Sequence, residues 1–317
     1  MHQREEARRE LDPYLYFMPQ TMHVLGAKEL IRNLWKQIKQ KFPKKRWKEM
    51  KKAVSDKTEI SLMTFDAYLK GRREPTLRFL TEISHAAREH EIEVPSEKEI
   101  LRNRRFRFGV GMAGSCNLPY QLTPDLAYLL GALRDGTITD KKKYEISFYQ
   151  KDTRWFSVLT RCLQEVFNPS SKIFVFTERR NSSPKLTVSC RPIVEFLKLV
   201  CGVPAGDKLS WQTPRIIKNA DWEIQRHYIR GFFDADGRTS IRFQKVGFCQ
   251  ASESPLSDIK EMLEKHGIKC RKVEAYKPKN KGFMFSLYIT TGDILDFIRE
   301  IGSSNPQKYE RLLPERT

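Results

Sequence analysis

An apolar, small-residue segment that stops abruptly on an acidic residue followed by glycine occurs twice in this chain. The first copy is Leu126-Ala-Tyr-Leu-Leu-Gly-Ala-Leu-Arg-Asp-Gly136 and the second is Tyr228-Ile-Arg-Gly-Phe-Phe-Asp-Ala-Asp-Gly237. Their aspartates, Asp135 and Asp236, stand 101 positions apart. Further on, Val188-Ser-Cys-Arg-Pro-Ile-Val-Glu-Phe-Leu197 lies over Ile289-Thr-Thr-Gly-Asp-Ile-Leu-Asp-Phe-Ile298 at the same offset. Residues from about 123 to 302 therefore read as one fold written twice. Each copy contributes one carboxylate, and a pseudo-twofold axis between the copies can set two acids side by side.

Periodicity fills in the repeat. Thr123-Pro124-Asp125 opens the first motif helix: Thr caps it, Pro pre-sets its first turn and Asp complements its dipole. Tyr144–Gln150 alternates as a strand, Asp152–Phe167 has helical spacing, Ile173–Arg179 and Lys185–Cys190 alternate again, and Pro192–Cys201 returns to a helix. A segment with Pro204 and Pro214 leads to the second copy, with a helix over 221–236, strands over 240–250, a helix over 255–266, strands over 270–277 and 283–290, and a helix over 293–301. The unit is αββαββα with antiparallel strands and helices on one face, an α+β fold written as repeats over 123–219 and 220–317.

Residues 1–100 read as an all-α domain. Ala27–Phe42 is a basic amphipathic helix, Pro43 starts another through Val54, and two more follow Glu59. In Ser61-Leu-Met-Thr-Phe-Asp-Ala-Tyr-Leu-Lys-Gly-Arg-Arg-Glu-Pro-Thr-Leu-Arg-Phe-Leu80, a short helix ends at Gly71 and Pro75 opens the next near its first turn. The Gly-Arg-Arg-x-Pro-x-Leu pattern resembles the lambda-repressor-like helix-turn-helix over about Ala27–His90. That resemblance implies Thr64, Asp66, Ala67 and Lys70 on or near a recognition helix, with Arg72 and Arg73 close to phosphates. A plain helical bundle packed on the repeats is the alternative. Residues 101–122, basic and then glycine-rich, read as a linker, either laid along a polyanion or simply solvated.

A formal charge of +19 suits a polyanionic partner, because so many cations repel one another unless phosphates answer them. A merely basic surface is the weaker alternative. Six cysteines form no Cys-x-x-Cys pair and lie in apolar patterns, so they read as buried thiols in a reducing compartment. The histidines lack metal-ligand spacing. The N-terminus has no apolar signal core, and the longest apolar run is too short to cross a bilayer, so a soluble cytoplasmic protein is expected.

The paired motifs resemble the LAGLIDADG homing endonucleases in their single-chain, two-motif form, over roughly Thr123–Gly302. The resemblance implies motif helices packed through Gly131, Ala132 and Gly231, and two four-stranded sheets forming a saddle on the DNA major groove. It implies Asp135 and Asp236 as catalytic ligands of Mg²⁺, one for each DNA strand, with Gln150 and Gln250 orienting water and Lys151, Arg238 and Lys245 in supporting places. Arg179, Lys185, Arg242, Lys245, Arg271 and Lys277 alternate with apolar or small residues on the expected strands, which makes them candidate DNA contacts together with Arg238, Lys70, Arg72 and Arg73. The expected partner is double-stranded DNA, met by a monomer. An intron maturase bound to RNA and a non-catalytic DNA-binding regulator are the alternatives on the same fold. An intein is not expected, because the chain opens on an ordinary methionine segment and closes on Pro314-Glu-Arg-Thr. One departure stands out: Gly231 precedes its acid by five positions and Gly131 by four. In an unbroken α-helix that difference turns Asp135 by about 100°.

Overall fold

The computed structural model describes residues 18–96, 99–100, 104–109, 114–141, 143–177, 183–206, 211–240, 245–278 and 282–312. Four helices come first: α1 (Lys28–Lys41), α2 (Lys44–Thr58), α3 (Leu62–Leu69) and α4 (Leu77–Arg88). Ile31, Leu34, Trp35 and Ile38 recur at helical spacing and form the buried side of α1. The Trp35 ring meets Phe65 edge-on at 5.0 Å, and Phe79 receives both Phe65 at 5.0 Å and Tyr68 at 4.8 Å. Helix α2 runs four residues past the expected Val54 and ends where Glu59 turns left-handed, at φ 56°. Gly71, at φ +65°, closes α3 as expected, with Arg72 N–H bonded back to Ala67 O at 2.8 Å. Pro75 differs from expectation. It lies outside the helix, because the Thr76 hydroxyl caps α4 by accepting from Phe79 N–H at 3.3 Å and the helical residues begin at Leu77.

The basic segment expected to be a linker is partly built into the structure. Strand β1 (His23–Leu25) pairs antiparallel with β2 (Arg105–Arg107), setting Val24 opposite Phe106. Phe106 and Phe108 are buried, and Arg105 donates to the carbonyls of Ser115 at 3.0 Å and Asn168 at 2.9 Å. The Arg-Phe-Arg-Phe alternation is thus a strand period. Its aromatic side faces the core rather than a polyanion.

The duplication holds. The first copy runs α5 (Pro124–Ala132), β3 (Thr137–Thr139), β4 (Glu145–Tyr149), α6 (Trp155–Phe167), β5 (Ile173–Thr177), β6 (Pro184–Ser189) and α7 (Arg191–Leu199). A short α8 (Arg215–Lys218) precedes the second copy: α9 (Trp222–Asp236), β7 (Gly237–Ser240), β8 (Lys245–Gln250), α10 (Ser254–Lys265), β9 (Glu274–Tyr276), β10 (Met284–Tyr288) and α11 (Ile294–Glu300). A final helix, α12 (Pro306–Leu312), was not foreseen in the sequence. The sheets have the same antiparallel order, β3-β4-β6-β5 and β7-β8-β10-β9. The offset, however, is not uniform. Ile146 and Phe148 correspond to Val246 and Phe248 at 100 positions, whereas Leu186 and Val188 correspond to Leu287 and Ile289 at 101. All eight side chains are buried.

The two copies meet through α5 and α9, whose backbones touch. A Cβ at Gly131 would lie 2.1 Å from Tyr228 O, and one at Gly231 would lie 2.1 Å from Tyr128 O. Only glycine fits either place. The six cysteines are free thiols and five are buried. Among the described residues no helix is long and apolar enough to cross a membrane. Gly231→Ala is expected to lower stability by about 1–3 kcal/mol, the scale of overpacking, read as a drop in the urea midpoint. Gly292→Ala, where an added Cβ meets nothing within 4 Å, serves as the control that leaves the midpoint in place.

Candidate active site

The acids reach their positions by different local geometry. Helix α9 stays α-helical as far as Asp236, started by the Asp221 carboxylate that accepts from Ile224 N–H at 3.2 Å. After Ala132 the first motif tightens: Arg134 N–H bonds to Gly131 O at 3.1 Å, Asp135 N–H to Ala132 O at 3.4 Å, and Gly136 N–H to Leu133 O at 2.9 Å. These i→i−3 bonds make a 3₁₀ turn, which advances about 2.0 Å and rotates about 120° per residue, against about 1.5 Å and 100° in an α-helix. One α-helical step and three tight ones from Gly131 therefore advance about 7.5 Å through about 460°. Five α-helical steps from Gly231 advance about 7.5 Å through about 500°. The missing residue is absorbed in length, and about 40° of its rotation remains.

Lys308, on α12, lies within electrostatic reach of both acids. Its ammonium donates to Phe233 O at 2.7 Å, which also accepts from Gly237 N–H, and to Ala235 O at 3.0 Å, both at the C-terminal end of α9. Burial pushes its pKa down to about 8, against the opposing pull of Asp234, Asp236 and Asp135. One cation thus feels both motif acids, and both acids are partly exposed.

Asp236 is oriented across the repeat boundary. The Gln250 amide donates to Asp236 Oδ2, while Gln250 Oε1 accepts from Arg134 Nη2 at 3.2 Å. Arg134 is buried; its Nη1 donates to Trp211 O at 2.6 Å and its guanidinium lies 5.2 Å from the ring centres of both Trp211 and Phe232. Burial pulls its pKa down, while Tyr228 and Asp236 pull it up. Gln150 stands at the equivalent strand end, its Oε1 accepting from Lys151 N–H at 2.9 Å.

A buried carboxylate ties the centre together. Asp234 accepts from Tyr128 OH at 2.6 Å, Ser304 N–H at 2.9 Å and the Ser303 hydroxyl, and Tyr128 OH in turn accepts from Trp155 Nε1 at 2.7 Å. Burial raises its pKa, and the bonds from Ser303 and Tyr128 oppose the rise. Arg134, Asp234 and Lys308 were not singled out in the sequence. Asp234 was visible inside the motif. Arg134 and Lys308 carry no local signal, since their roles come from partners far along the chain.

The remaining candidates divide. Arg238 and Lys245 are exposed on β7 and β8. Arg271 is exposed but precedes β9, and Lys277 lies just past its end with its ammonium 5.6 Å from the Phe283 ring centre. Lys185 departs from expectation. It is buried, bonded to Glu145 at 2.8 Å and 5.6 Å from the ring centres of Tyr149 and Phe176, because register places Tyr149 and Phe176 on either side of it. Arg179 and Arg242 lie outside the described residues. Lys70, Arg72 and Arg73 are exposed, whereas Asp66 is paired with Lys51 at 2.6 Å. Among the described residues no group of three or more His, Cys, Asp or Glu is gathered to hold a metal ion.

Residues 223–302 match the family described as LAGLIDADG-like domain. Homing endonuclease I-ApeI of Aeropyrum pernix is 28% identical over 154 residues, covering 45% of this chain and 67% of that protein. The replication factor C small subunit of Methanocaldococcus jannaschii is 25% identical over 197 residues, 61% of this chain but only 10% of that protein. Among solved structures, I-DmoI in complex with DNA and Mn superposes with a TM-score of 0.44 at 17% identity, over 57% of this chain and 97% of that one. Full-length DUF199/WhiA from Thermatoga maritima gives 0.40 at 17% identity, over 61% of each chain.

Asp234→Asn replaces an acceptor by an amide that faces three donors. It is expected to cost about 1–3 kcal/mol, the scale of an unsatisfied buried group, measured by chemical unfolding. Tyr128→Phe, which removes only one of those donors, is expected to cost less. Equal stability of Asp234→Asn and the parent would mean that Asp234 does not hold the centre together.

Proposed function

We propose that the protein, whose residues 223–302 match the LAGLIDADG-like domain, is a site-specific endonuclease that cuts both strands of DNA by phosphodiester hydrolysis. Two carboxylates, one closing each of the motif segments that cross at Gly131 and Gly231, in a chain of formal charge +19, carry this reading. The name of its relative I-ApeI, a homing endonuclease, agrees with it. Both acids come from a single chain, so a monomer supplies one for each DNA strand.

Asp135 and Asp236 would hold a divalent cation, Mg²⁺ by preference. The donor set suits such an ion, which needs hard oxygens and takes only one or two carboxylates, with substrate oxygens and water completing its shell. That is compatible with acids at partly exposed helix ends and no larger ligand cluster among the described residues. When bound, the ion would neutralise charge on the phosphate and make its water more acidic. The protein's own part is orientation. Gln250 fixes the Asp236 carboxylate and is itself held by Arg134, and Gln150 would serve the Asp135 side from the matching strand end. Arg238, Lys245, Arg271 and Lys277 would meet phosphates or base edges along the second sheet. Lys185 is better placed to brace the first sheet against Glu145 than to read a base.

The N-terminal helices would add a second DNA-binding surface. Helices α2 and α3 are joined by the short turn Glu59-Ile60-Ser61, and Leu62 and Met63 stand exposed at the start of α3. Lys70, Arg72 and Arg73 follow at its other end, where they would contact phosphates as in a helix-turn-helix.

Selecting cut sites from a random-sequence duplex library in Mg²⁺ supplies the substrate. On it, Asp236→Asn and Asp135→Asn are each expected to slow cleavage by about 10²-fold or more, while affinity in Ca²⁺ survives. Wild-type cutting by Asp236→Asn would defeat the assignment. Replacing Lys70, Arg72 and Arg73 by alanine is expected to make affinity less salt-dependent, by about 0.9 in the log–log slope for each phosphate no longer neutralised, without moving the cut. An unchanged slope would assign α1–α4 to packing alone.

A further inference from the structure

Helix α12 lies beyond the duplicated fold, yet it is fixed at the end of the second motif helix. Ser303 and Ser304 bind the Asp234 carboxylate, and Asn305 Nδ2 donates to Asp234 O at 3.2 Å. Lys308 is bonded to two carbonyls of α9, and Glu310 is paired with Arg154 of the first repeat at 2.6 Å. Between α12 and the second sheet, beside Asp236, opens a cleft of about 340 Å³. Its described lining includes Arg238, Thr239, Lys245, Tyr288, Lys308 and Arg311, which gives four cations and no carboxylate among the described residues.

Such a grouping is costly by itself. Arg311 lowers the proton affinity of Lys308, as a neighbouring like charge must, and desolvation of the ammonium adds to the cost. An anion in the cleft would relieve both. The donors also suit a tetrahedral oxyanion. Guanidinium groups from opposite walls can each offer a fork of N–H donors, and an ammonium has three protons, of which the carbonyls of Phe233 and Ala235 take two. Because α12 is anchored at several points, these donors need little ordering when the anion arrives.

We propose that this cleft binds a backbone phosphate of the DNA strand that passes Asp236, with Lys308 and Arg311 on one wall and Arg238 and Lys245 on the other. This rests on the endonuclease reading and assigns α12 a place in it. The cleft holds the strand by the linkage next to the one being cut, on the Asp236 side, so the two strands are gripped unequally.

The test uses the full chain and the duplex selected above, with single methylphosphonate linkages that remove one phosphate charge at a time. In Ca²⁺, one neutral linkage beside the Asp236 cut is expected to weaken wild-type binding by about tenfold, the scale of one charge-assisted hydrogen bond. Arg311→Ala, an exposed side chain whose loss spares the core, is expected to weaken binding of unmodified DNA to a similar degree. Its salt slope should fall by about 0.9, and the same neutral linkage should then cost it less than about twofold. Lys308→Arg should retain more affinity than Lys308→Met. If the Arg311→Ala and methylphosphonate effects simply multiply at every linkage, or if Arg311→Ala binds like the parent, the cleft is not the phosphate site although the nuclease assignment stands. A parent protein that selects and cuts no duplex overturns both.

Discussion

The contact between Gly131 and Gly231 sets the geometry of everything around it. Each glycine lies against the carbonyl of the tyrosine three residues before its counterpart, Tyr228 and Tyr128, so the helices cross backbone to backbone. At that separation, the end of either helix is determined by the distance its chain runs past the crossing. The two motifs run four and five residues to their acids, and only a change of helical pitch lets both finish level. The i→i−3 bonds at Arg134–Gly136 supply that change. A side chain at either glycine would separate the axes and, with them, the acids.

Symmetry at the crossing supports an asymmetric centre. One hundred positions apart, Arg134 and Asp234 are both buried, one cationic and one acidic, each near the tyrosine of the opposite helix. Burying either charge carries a desolvation cost that must be met locally. Asp234 meets it with donors from Tyr128, Ser303 and Ser304, which also pins the segment leading into α12. Arg134 meets it with the Trp211 carbonyl, two aromatic faces and Gln250. Asp236 thereby gains an oriented amide and Lys308 beside its helix end, whereas the strand-end glutamine of the first copy is bonded to its own backbone neighbour. The two acids do not sit in equivalent surroundings.

Most of this framework was legible because it is local or periodic. The Thr123 cap, the alternation of β4, the small residues of the motif helices and the glycine that closes α3 all follow from short-range rules. The first motif's missing residue was visible too, but its resolution was not, since the pitch of one turn depends on a helix encountered 100 residues later. Lys185 shows the same limit. Alternation indicated its face, but only the register between β4 and β6, with Glu145 close by, shows that its charge is already spent. Helix α12 has seven residues, too few for an apolar period to stand out, and its significance comes entirely from Asp234, α9 and β7. In the 101–122 segment, arginine content suggested a solvated strap, while the phenylalanines at every second position had the stronger claim, because burying two rings outweighs leaving them in water.

The surfaces offered by the two sheets differ in the same way as the site. On the first sheet, Lys185 is neutralised by Glu145, Ser147 is bonded to Glu145 and Thr187, and Phe174 and Phe176 remain exposed on the edge strand β5. On the second, Arg238, bonded to Tyr276, and Lys245 are exposed, and α12 adds Arg311 at the margin. Under the proposed endonuclease reading an aromatic surface and a cationic one would select different base sequences, because major-groove edges offer both hydrogen-bonding groups and the apolar thymine methyl. Two identical chains related by a true twofold would have to present identical surfaces and read a palindrome. Duplication within one chain removes that requirement: once Gly131 and Gly231 fix the crossing, each half can diverge wherever its side chains do not reach the shared helix pair.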